Sequence, residues 1–279
     1  DAVAAAGGRL SHLDKMWNYA AGIRHPRPRK PNHGLSIVPP RSALWLDWRG
    51  RRIGPMPLVT GFDTRDLVAR VCATERQYSW QLMNKAIAIK ELAVSGAEHN
   101  PSIRDKKKLA FLRDLLFGNK WPYEELTNGY EDVVTGRDLP ELVAKMNALQ
   151  GDTSVSLDEV RSATEAYDAQ IDRGETFHND EQLRRIAYVR RWKGDRLRTC
   201  KFQKILDPAA GPLLAIREFI ISRKSLGGIQ TDLQCRVLDA AGAPIPGLYA
   251  AGEAPGFGGG GMHGLRALEG SFLGGCILS

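Results

Sequence analysis

Apolar residues recur every three or four positions through the middle third of the chain, which is the pattern of amphipathic helices. One such run, residues 139–146, follows Asp138, a typical N-cap residue, and contains an early proline. A second run starts at Ser156 in a capping box and is expected to end at Gly174. We therefore predict two helices here, each with its apolar stripe in the core.

The beginning of the chain gives weaker signals. Apolar side chains between residues 10 and 17 have helical spacing, so we predict a short helix that ends near Gly22. Residues 42–47 read SALWLD and predict a short strand. A further helix is expected next, with either Asp63 or Thr64 as its N-cap, since each side-chain oxygen can accept a first-turn N–H.

Strand patterns dominate after Pro208. Residues 213–221 and 228–238 are predicted strands, and residues 247–252 predict a strand of small residues that is buried on both sides. A glycine-rich loop and a last helix from about Leu265 follow. Helices in the middle and strands at the end predict a mixed α+β or α/β fold with two architectural units.

The composition is that of a soluble globular protein, with 43% apolar and 25% charged residues. No apolar stretch is long enough to cross a bilayer, so we predict no membrane span. The first residues lack the basic start and apolar run of a signal peptide, and the four cysteines are scattered without a CxxC pair. We therefore expect a cytoplasmic protein with no metal site and no disulfide framework.

Positive charge is concentrated near the start of the chain. Lys and Arg outnumber Asp and Glu by 39 to 32, and much of the excess lies in residues 24–30 and 49–52. A basic stripe can attract an anionic ligand or a phosphate backbone, but the sequence has no zinc-finger, RNP or helix-turn-helix pattern. We interpret both segments as solvated loops and predict no nucleic-acid partner.

Glycine is the most unevenly distributed residue. Ten of the 29 glycines lie between Gly252 and Gly275, after a predicted strand and into a predicted helix. Such a loop lets backbone N–H groups and a helix N-terminus approach a ligand closely. Residues 256–261 satisfy the GxGxxG pattern, but a run of four glycines does so trivially and carries no weight. A merely flexible loop is the alternative.

Four segments, in a fixed order, carry a resemblance to a known family. They are SLGGIQTD at 225–232, IPGLYAAGE at 245–253, GGGMHG at 259–264 and ALEGSFLGG at 267–275. Together they resemble the FAD-dependent fumarate reductase/succinate dehydrogenase flavoprotein family. The branch that is most similar is that of the FAD-binding dehydrogenases described as 3-ketosteroid-dehydrogenase-like. The resemblance extends, more loosely, over essentially the whole chain.

The resemblance implies a domain organisation. In that family a mobile cap domain interrupts the FAD-binding domain, and substrate is held between the cap and the flavin. Residues 34–220 would be a mostly helical α+β cap, while residues 1–33 and 221–279 would belong to the FAD-binding domain. The family's N-terminal Rossmann half has no match here. We therefore expect a fragment truncated at both ends, whose partners are that missing half and a small-molecule substrate.

The resemblance also implies which residues contact FAD. Glu253 matches a glutamate that contacts the cofactor, and Gly227 and Gly228 match a glycine pair beside the flavin. Phe272 and Leu273 match backbone contacts to the pyrimidine ring, where a helix N-terminus would face the charge that develops on reduction. The other cofactor positions that the motifs imply are Lys224, Gly252, Gly261, Met262 and Gly264.

One implied catalytic residue lies in the predicted cap. The segment Thr64-Arg65-Asp66 matches the one whose arginine donates a proton in fumarate reduction. An arginine needs a desolvated site and a carboxylate relay to act as an acid, because its ordinary pKa is very high. The alternative is an exposed arginine at a helix start that pairs with Asp63 or Asp66.

The remaining catalytic positions depart from the family. Arg223 replaces a substrate-binding histidine, and Arg266 is followed by Ala267 where fumarate reductases have the substrate-clamping arginine. His263 is a candidate acid, base or flavin neighbour, with packing in the glycine loop as the alternative. Ketosteroid dehydrogenases use tyrosines, and the glycine loop contains none. The unplaced tyrosine candidates are Tyr78, Tyr123 and Tyr188.

These matches lead us to expect an FAD-dependent oxidoreductase. It would move a hydride between flavin N5 and a C–C bond next to a carbonyl, with the redox chemistry supplied by the cofactor. A bulky, steroid-like substrate is favoured over a small dicarboxylate, because the dicarboxylate clamp is incomplete. The alternatives are a non-catalytic fragment without stable FAD binding and a fumarate-reductase-like activity on a dicarboxylate.

Overall fold

The computed structural model describes residues 2–54, 65–95, 100–256 and 271–278. Contacts divide the chain into two compact units. The terminal unit consists of Asp1–Tyr19, Thr60–Val68 and Ser222–Ser279, and the central unit consists of Ala20–Val59 and Ala69–Ile221. The cap boundaries that the resemblance implies, at residues 34 and 220, stay a prediction.

Helices and strands are mixed along the chain, which confirms the predicted fold class. The strands are β1 (Leu10–Ser11), β2 (Met16–Arg24), β3 (Gly34–Ser36), β4 (Leu44–Asp47), β5 (Tyr78–Asn84), β6 (Val133–Gly136), β7 (Leu213–Ser225), β8 (Gly228–Ile229), β9 (Arg236–Leu238) and β10 (Pro244–Tyr249). The α-helices are α1 (Ala2–Ala5), α2 (Arg65–Cys72), α3 (Lys85–Glu91), α4 (Pro101–Arg104), α5 (Lys108–Phe117), α6 (Lys120–Gly129), α7 (Leu139–Gln150), α8 (Leu157–Asp172), α9 (Glu181–Val189), α10 (Lys193–Arg198) and α11 (Ser271–Leu278). Short 3-10 helices lie at Leu92–Val94, Glu175–Phe177 and Pro208–Ala210.

Strand β7 is the centre of a six-stranded sheet. Along one edge it pairs antiparallel with β5, from Leu213 opposite Asn84 to Phe219 opposite Tyr78. Residues 213–216 also pair with β6, which therefore runs along the other edge. The strand order is β3-β2-β7-β5-β4, so β7 connects both halves of the sheet. Segments that are distant in the sequence are thus held in one register by hydrogen bonds to a single strand.

The two helices predicted in the middle third are confirmed as α7 and α8. The Asp138 carboxylate accepts a hydrogen bond from Glu141 N at 2.9 Å, and Ser156 Oγ accepts one from Glu159 N at 3.3 Å. The reciprocal bonds of the predicted capping boxes are not made, because the Glu141 carboxylate accepts from Arg137 N and the Ser156 N–H donates to a backbone carbonyl. The fully buried side chains around them include Leu44, Leu46, Trp80, Leu82, Leu142, Met146, Val160 and Tyr167.

The helix predicted between residues 10 and 22 is wrong. The segment forms β1 and β2, and β2 is buried along most of its length. Gly22 lies directly against β7, where an added Cβ would be 2.8 Å from the Phe219 carbonyl oxygen. Apolar side chains on both faces of a buried strand can imitate helical spacing, so pairing with distant strands decided this element.

The strand predicted over residues 228–238 is two short strands, β8 and β9. A turn separates them, in which Cys235 N donates to Asp232 O and Cys235 has a positive φ of 60°. The buried strand predicted over 247–252 is also wrong, since β10 ends at Tyr249 and its residues are exposed or half-buried. It forms an antiparallel hairpin with β9, so its small residues serve a surface hairpin rather than a buried layer.

Further along, the predicted start of the last helix near Leu265 lies outside the described residues, as do the two alternative caps of α2. Helix α2 begins at Arg65 and α11 at Ser271. Both helices therefore exist where the sequence predicts one, while the predicted residues at which they start stay untested.

A buried carboxyl group lies in the middle of the sheet. Glu218 on β7 is fully buried and pairs across the strands with Ser79 on β5. When the Gln81 amide is oriented to accept from Trp45 Nε1 at 2.9 Å, its nitrogen donates to Glu218 Oε1 at 3.3 Å. Burial raises the pKa of Glu218 well above its ordinary value. The folded protein therefore favours the protonated form of this carboxyl group more strongly than the unfolded chain does.

This raised pKa couples the stability of the central unit to pH. The folded state keeps the proton while the unfolded chain loses it above pH 4.5, so stability falls as the pH rises beyond that value. We expect Glu218→Gln to remove a fall in the free energy of unfolding, of up to about 1.4 kcal/mol per pH unit, that begins above pH 4.5. Urea unfolding at several pH values measures the slope, and Glu165→Gln, at an exposed position on α8, is the matched control. An unchanged slope in Glu218→Gln would contradict the assignment.

Three backbone segments cross at van der Waals distance in the terminal unit. A Cβ on Gly227 would lie 2.1 Å from the His12 carbonyl oxygen, and one on Gly228 would lie 2.3 Å from the Ala254 carbonyl oxygen. Gly256 completes the crossing, with a positive φ of 70° and an added Cβ 2.6 Å from the backbone of Gly227. Only residues without a side chain fit here, so the glycines are required by packing.

We expect Gly227→Ala to disrupt the terminal unit, because the added methyl group meets backbone atoms that cannot rotate away. The cost should be about 3 kcal/mol or more, above the usual range for point substitutions. Hydrogen exchange of the amides of β1 and β8 measures it, and their protection should be lost. Gly194→Ala in α10 is the control: nothing lies within 4 Å of its added Cβ, and it should stabilise the helix by about 0.5–1 kcal/mol. Equal protection in the two variants would refute the packing argument.

Candidate functional site

The terminal unit brings several of the predicted cofactor residues together around the glycine crossing. Residues 252–256 form a turn in which Gly256 N donates to Glu253 O at 3.1 Å. The same turn accepts from β8, since Ile229 N donates to Ala254 O at 3.0 Å. Gly227, Gly228, Gly252 and Glu253 therefore belong to one compact piece of backbone.

Helix α11 lies against this turn. Gly252 has a positive φ of 69°, and a Cβ added there would be 3.4 Å from Cys276 Sγ of α11. Leu273, in the first turn of α11, is 68% exposed, and Glu253 is also exposed. The turn thus offers an exposed carboxylate, with the described part of α11 beside it in the same unit.

The structure places the remaining predicted residues only in part. Arg223 and Lys224 lie near the end of β7, Arg65 is the first residue of α2 and Phe272 the second of α11, and the side chains of these four are not among those described. The residues that fall outside the described ranges are Gly261, Met262, His263, Gly264 and Arg266. Their predicted roles stay predictions.

The central unit contains a cavity of about 700 Å³ that the sequence did not indicate. Its walls come from the β2–β3 hairpin, the end of β7 and the segment after α6. Ile23, Phe219, Ile220 and Ile221 give it an apolar side, and Arg24 and Glu131 give it a charged side. The remaining lining residues are Gly22, His25, Pro26, Pro28, Asn32, His33, Gly34 and Gly129.

A pair of histidines closes the β2–β3 hairpin at this cavity. The rings of His25 and His33 stack with their centroids 4.3 Å apart. His25 Nδ1 accepts from Arg27 N at 2.9 Å, His33 Nδ1 accepts from Arg29 N at 3.2 Å, and His25 N donates to His33 O. Both Nδ1 atoms are acceptors, so each neutral ring carries its proton on Nε2. The segment interpreted as a solvated basic loop is indeed mostly exposed, and Arg24, His25, Pro26 and Pro28 of it also line the cavity.

An aromatic ring between two arginines forms the floor beside the hairpin. The guanidinium carbons of Arg24 and Arg217 lie 5.0 and 5.5 Å from the Phe219 ring centroid. Arg217 donates to the buried Asp132 carboxylate through Nε at 2.9 Å and a second nitrogen at 2.8 Å. Arg24 pairs with Glu131 at 3.1 Å. These arginines are balanced by carboxylates, so the floor presents an aromatic face rather than net positive charge.

The three tyrosine candidates lie elsewhere. Burial raises the pKa of Tyr78 and of Tyr123, and the Tyr78 hydroxyl donates to Gln150 at 2.5 Å. Tyr188 is exposed. None of the three is among the residues that line the cavity. Burial accounts for Tyr78 and Tyr123, whereas the exposed Tyr188 ring lies beside the Arg191 guanidinium group.

Within residues 2–54, 65–95, 100–256 and 271–278 there is no cluster of His, Cys, Asp or Glu side chains that is able to hold a metal ion. No helix in those ranges has both the length and the apolar character that a membrane crossing requires.

Comparison with known proteins identifies relatives over the whole chain. The model of the FAD binding domain family matches residues 1–273. A KsdD-like steroid dehydrogenase of Mycobacterium tuberculosis is 42% identical over 276 residues, which is 98% of this chain and 48% of the relative. A KsdD-like steroid dehydrogenase of Mycolicibacterium smegmatis is 41% identical over 270 residues, 96% of this chain and 49% of the relative. The chain thus spans about half the length of the curated relatives it matches.

Two solved structures share the fold. The open conformation of a flavocytochrome c3 fumarate reductase is similar over 99% of this chain and 37% of its own, with a TM-score of 0.56 and 16% identity. A 3-ketosteroid delta1-dehydrogenase from Sterolibacterium denitrificans is similar over 99% of this chain and 44% of its own, with a TM-score of 0.55 and 15% identity. At these identities the likeness concerns the fold alone.

The donor set in the terminal unit fits FAD, the cofactor of the matched family. FAD has hydroxyl groups, which can donate hydrogen bonds to a carboxylate such as that of Glu253. Its pyrimidine ring has carbonyl oxygens, which can accept hydrogen bonds from helix N–H groups. The glycine crossing holds the turn and β8 in fixed positions next to each other. Both the sequence match and the donor chemistry lead to the same conclusion: the chain belongs to the FAD binding domain family.

Proposed function

We propose that this chain is the cap and the C-terminal flavin-facing part of an FAD-dependent dehydrogenase that acts on a bulky, ketosteroid-like substrate. The observation that carries the proposal is the 42% identity, over 98% of the chain, to a relative described as a KsdD-like steroid dehydrogenase. The reaction would be hydride transfer between flavin N5 and a C–C bond adjacent to a carbonyl. Residues 34–220 would form the cap.

Residues of the terminal unit would hold the cofactor. Glu253 would accept hydrogen bonds from its hydroxyl groups, and the backbone at Phe272 and Leu273 would face its pyrimidine ring. Gly227 and Gly228 would lie beside it, with their positions fixed by the backbone crossing. When bound, the flavin supplies the hydride acceptor or donor, and the chain supplies binding and orientation.

Several features favour an apolar substrate over a dicarboxylate. The cavity of about 700 Å³ falls within the usual range for ligand pockets and is larger than a small diacid requires. The floor beside it exposes the Phe219 ring between arginines that are already paired with carboxylates. The position of the dicarboxylate clamp holds Ala267. Binding would therefore be driven by apolar burial, with few polar contacts to orient the ligand.

The proton and the carbonyl would be handled by residues whose side chains the structure does not describe. Arg65, Arg223, His263 and Arg266 are the proposed candidates, each by its position in the family motifs. Among the described tyrosines, the Tyr78 hydroxyl is committed to Gln150. The proposed roles of the four candidates rest on the sequence match.

The cofactor assignment is tested by flavin retention. A polypeptide that has the full length of the relatives should purify with flavin absorbance at about 450 nm. Glu253→Ala should raise the FAD dissociation constant about tenfold or more, because it removes a charge-assisted hydrogen bond. Asp14→Ala is the matched control, since Asp14 is an exposed carboxylate of the same terminal unit. Flavin loss in the control to the same degree, or none in Glu253→Ala, would remove Glu253 from the cofactor site.

The substrate class is tested with the same polypeptide under anaerobic conditions. A 3-ketosteroid should bleach the flavin, while fumarate should not reoxidise the reduced enzyme. Gly129→Phe should raise KM for the steroid about tenfold. Gly129 lines the cavity and has open space at its Cβ position, so the added ring would occupy part of the cavity. Gly194→Phe, at an open position that does not line the cavity, is the control and should keep KM unchanged. Reoxidation by fumarate without a response to the steroid would contradict the proposed substrate class and support a dicarboxylate substrate instead.

A further inference from the structure

Helix α5 presents large apolar side chains to solvent and turns its only acid, Asp114, inward beside the half-buried Ala110, Phe111 and Leu115. Asp114 is 2% exposed and accepts hydrogen bonds from Ser102 Oγ at 2.6 Å and Asn119 Nδ2 at 3.0 Å. The large side chains on the outer side are Leu109 at 86% exposure and Phe117 at 81%, with Leu112 and Leu116 nearly half exposed. A surface helix normally has the opposite arrangement. The outward apolar side of α5 therefore needs an explanation other than folding.

Positive charges accompany the apolar side chains. With about 100° of rotation per residue, Lys108 lies on the same side of α5 as Leu109, Leu112 and Leu116. Arg113 lies there too, but its guanidinium group pairs with the Asp114 carboxylate at 3.0 Å. The only acid within Lys108–Phe117 is Asp114, which is directed inward. Just before the helix, Lys106 is exposed, while the neighbouring Asp105 pairs with Arg104 and Lys107. The outward side is thus apolar and cationic without exposed acids of its own.

Neighbouring elements extend this surface with tryptophans. Trp121, in the first turn of α6, is 52% exposed. Helix α10 packs against α5, and Trp192, its N-cap residue, is 65% exposed, with exposed Arg191 and Lys193 on either side of it in the sequence. We call this set, residues 106–121 with 191–193, the α5 surface. Leucine and phenylalanine flanked by lysine, arginine and tryptophan is the composition of helices that lie in a membrane interface.

We propose that the α5 surface docks on the interface of a membrane that contains anionic lipids. Apolar side chains would enter the boundary between head groups and acyl chains, and the lysines and arginines would contact the negative head groups. Charge complementarity favours this occupant over a second copy of the chain. Two copies paired through this surface would bring its cations together without opposing carboxylates. The proposal concerns attachment to the surface only, and it does not depend on the proposed substrate.

The test is sedimentation of the purified chain with lipid vesicles. Vesicles of phosphatidylcholine with about 30% phosphatidylserine should bind the chain, and pure phosphatidylcholine should bind it at least about tenfold more weakly. Binding should decrease as salt is added, because the charge interaction is screened. Leu109→Gln/Phe117→Gln and Lys106→Glu/Lys108→Glu should each lower the partition coefficient about tenfold or more.

Matched controls separate this surface from general stickiness. Phe177→Gln removes an equally exposed aromatic side chain elsewhere in the central unit, and Arg173→Glu/Arg184→Glu reverses two exposed charges outside the α5 surface. Both should bind like the unchanged chain. Absence of binding to anionic vesicles, or equal losses in the control and α5 variants, would overturn the proposal. It would also be overturned if light scattering showed a dimer that the α5 variants dissociate while vesicles bind none of the proteins.

Discussion

Hydrogen bonding along both edges of β7 is the constraint on which the central unit depends. The strand pairs with β5 on one side and with β6 on the other, and β2 follows in the sheet order. This pairing places the groups on its two faces: the buried Glu218, the buried Arg217–Asp132 ion pair and the aromatic wall of the cavity. A change of register by one residue would exchange these two faces, so the position of each group is fixed by the backbone.

Local signals explain what the sequence predicted well. The starts of α7 and α8 depend on side chains within a few residues of each cap, and both helices form where the pattern indicates. The prediction for the segment that forms β2 was wrong, because its pairing with β7 depends on residues some two hundred positions away. The candidate functional site shows the same difference between local and long-range signals. The glycine motif lies in one stretch and indicated the flavin side, while the cavity combines Arg24, Glu131 and Phe219, which no local pattern connects.

The glycine motif also shows two kinds of requirement in one segment. Gly227, Gly228 and Gly256 are demanded by backbone crossings inside the terminal unit, whatever lies outside it. Gly274 has open space at its Cβ position, so packing within the described chain does not demand it. A family motif can thus contain both glycines that backbone packing requires and glycines at which the surrounding atoms would admit a side chain. Substitutions at the two kinds of position should be interpreted differently: those at the crossings disrupt packing inside the terminal unit, whereas a substitution at Gly274 disturbs no packing among the described residues.

The histidine pair fixes the backbone of the cavity wall independently of the charged side chains of the same loop. His25 and His33 hold the hairpin through the backbone amides of Arg27 and Arg29, and the guanidinium groups take no part in these bonds. The side chains at positions 27, 29 and 30 are therefore free to change without altering the loop's course. Substitutions at these exposed positions would thus change the charge near the cavity while the hairpin keeps its backbone course.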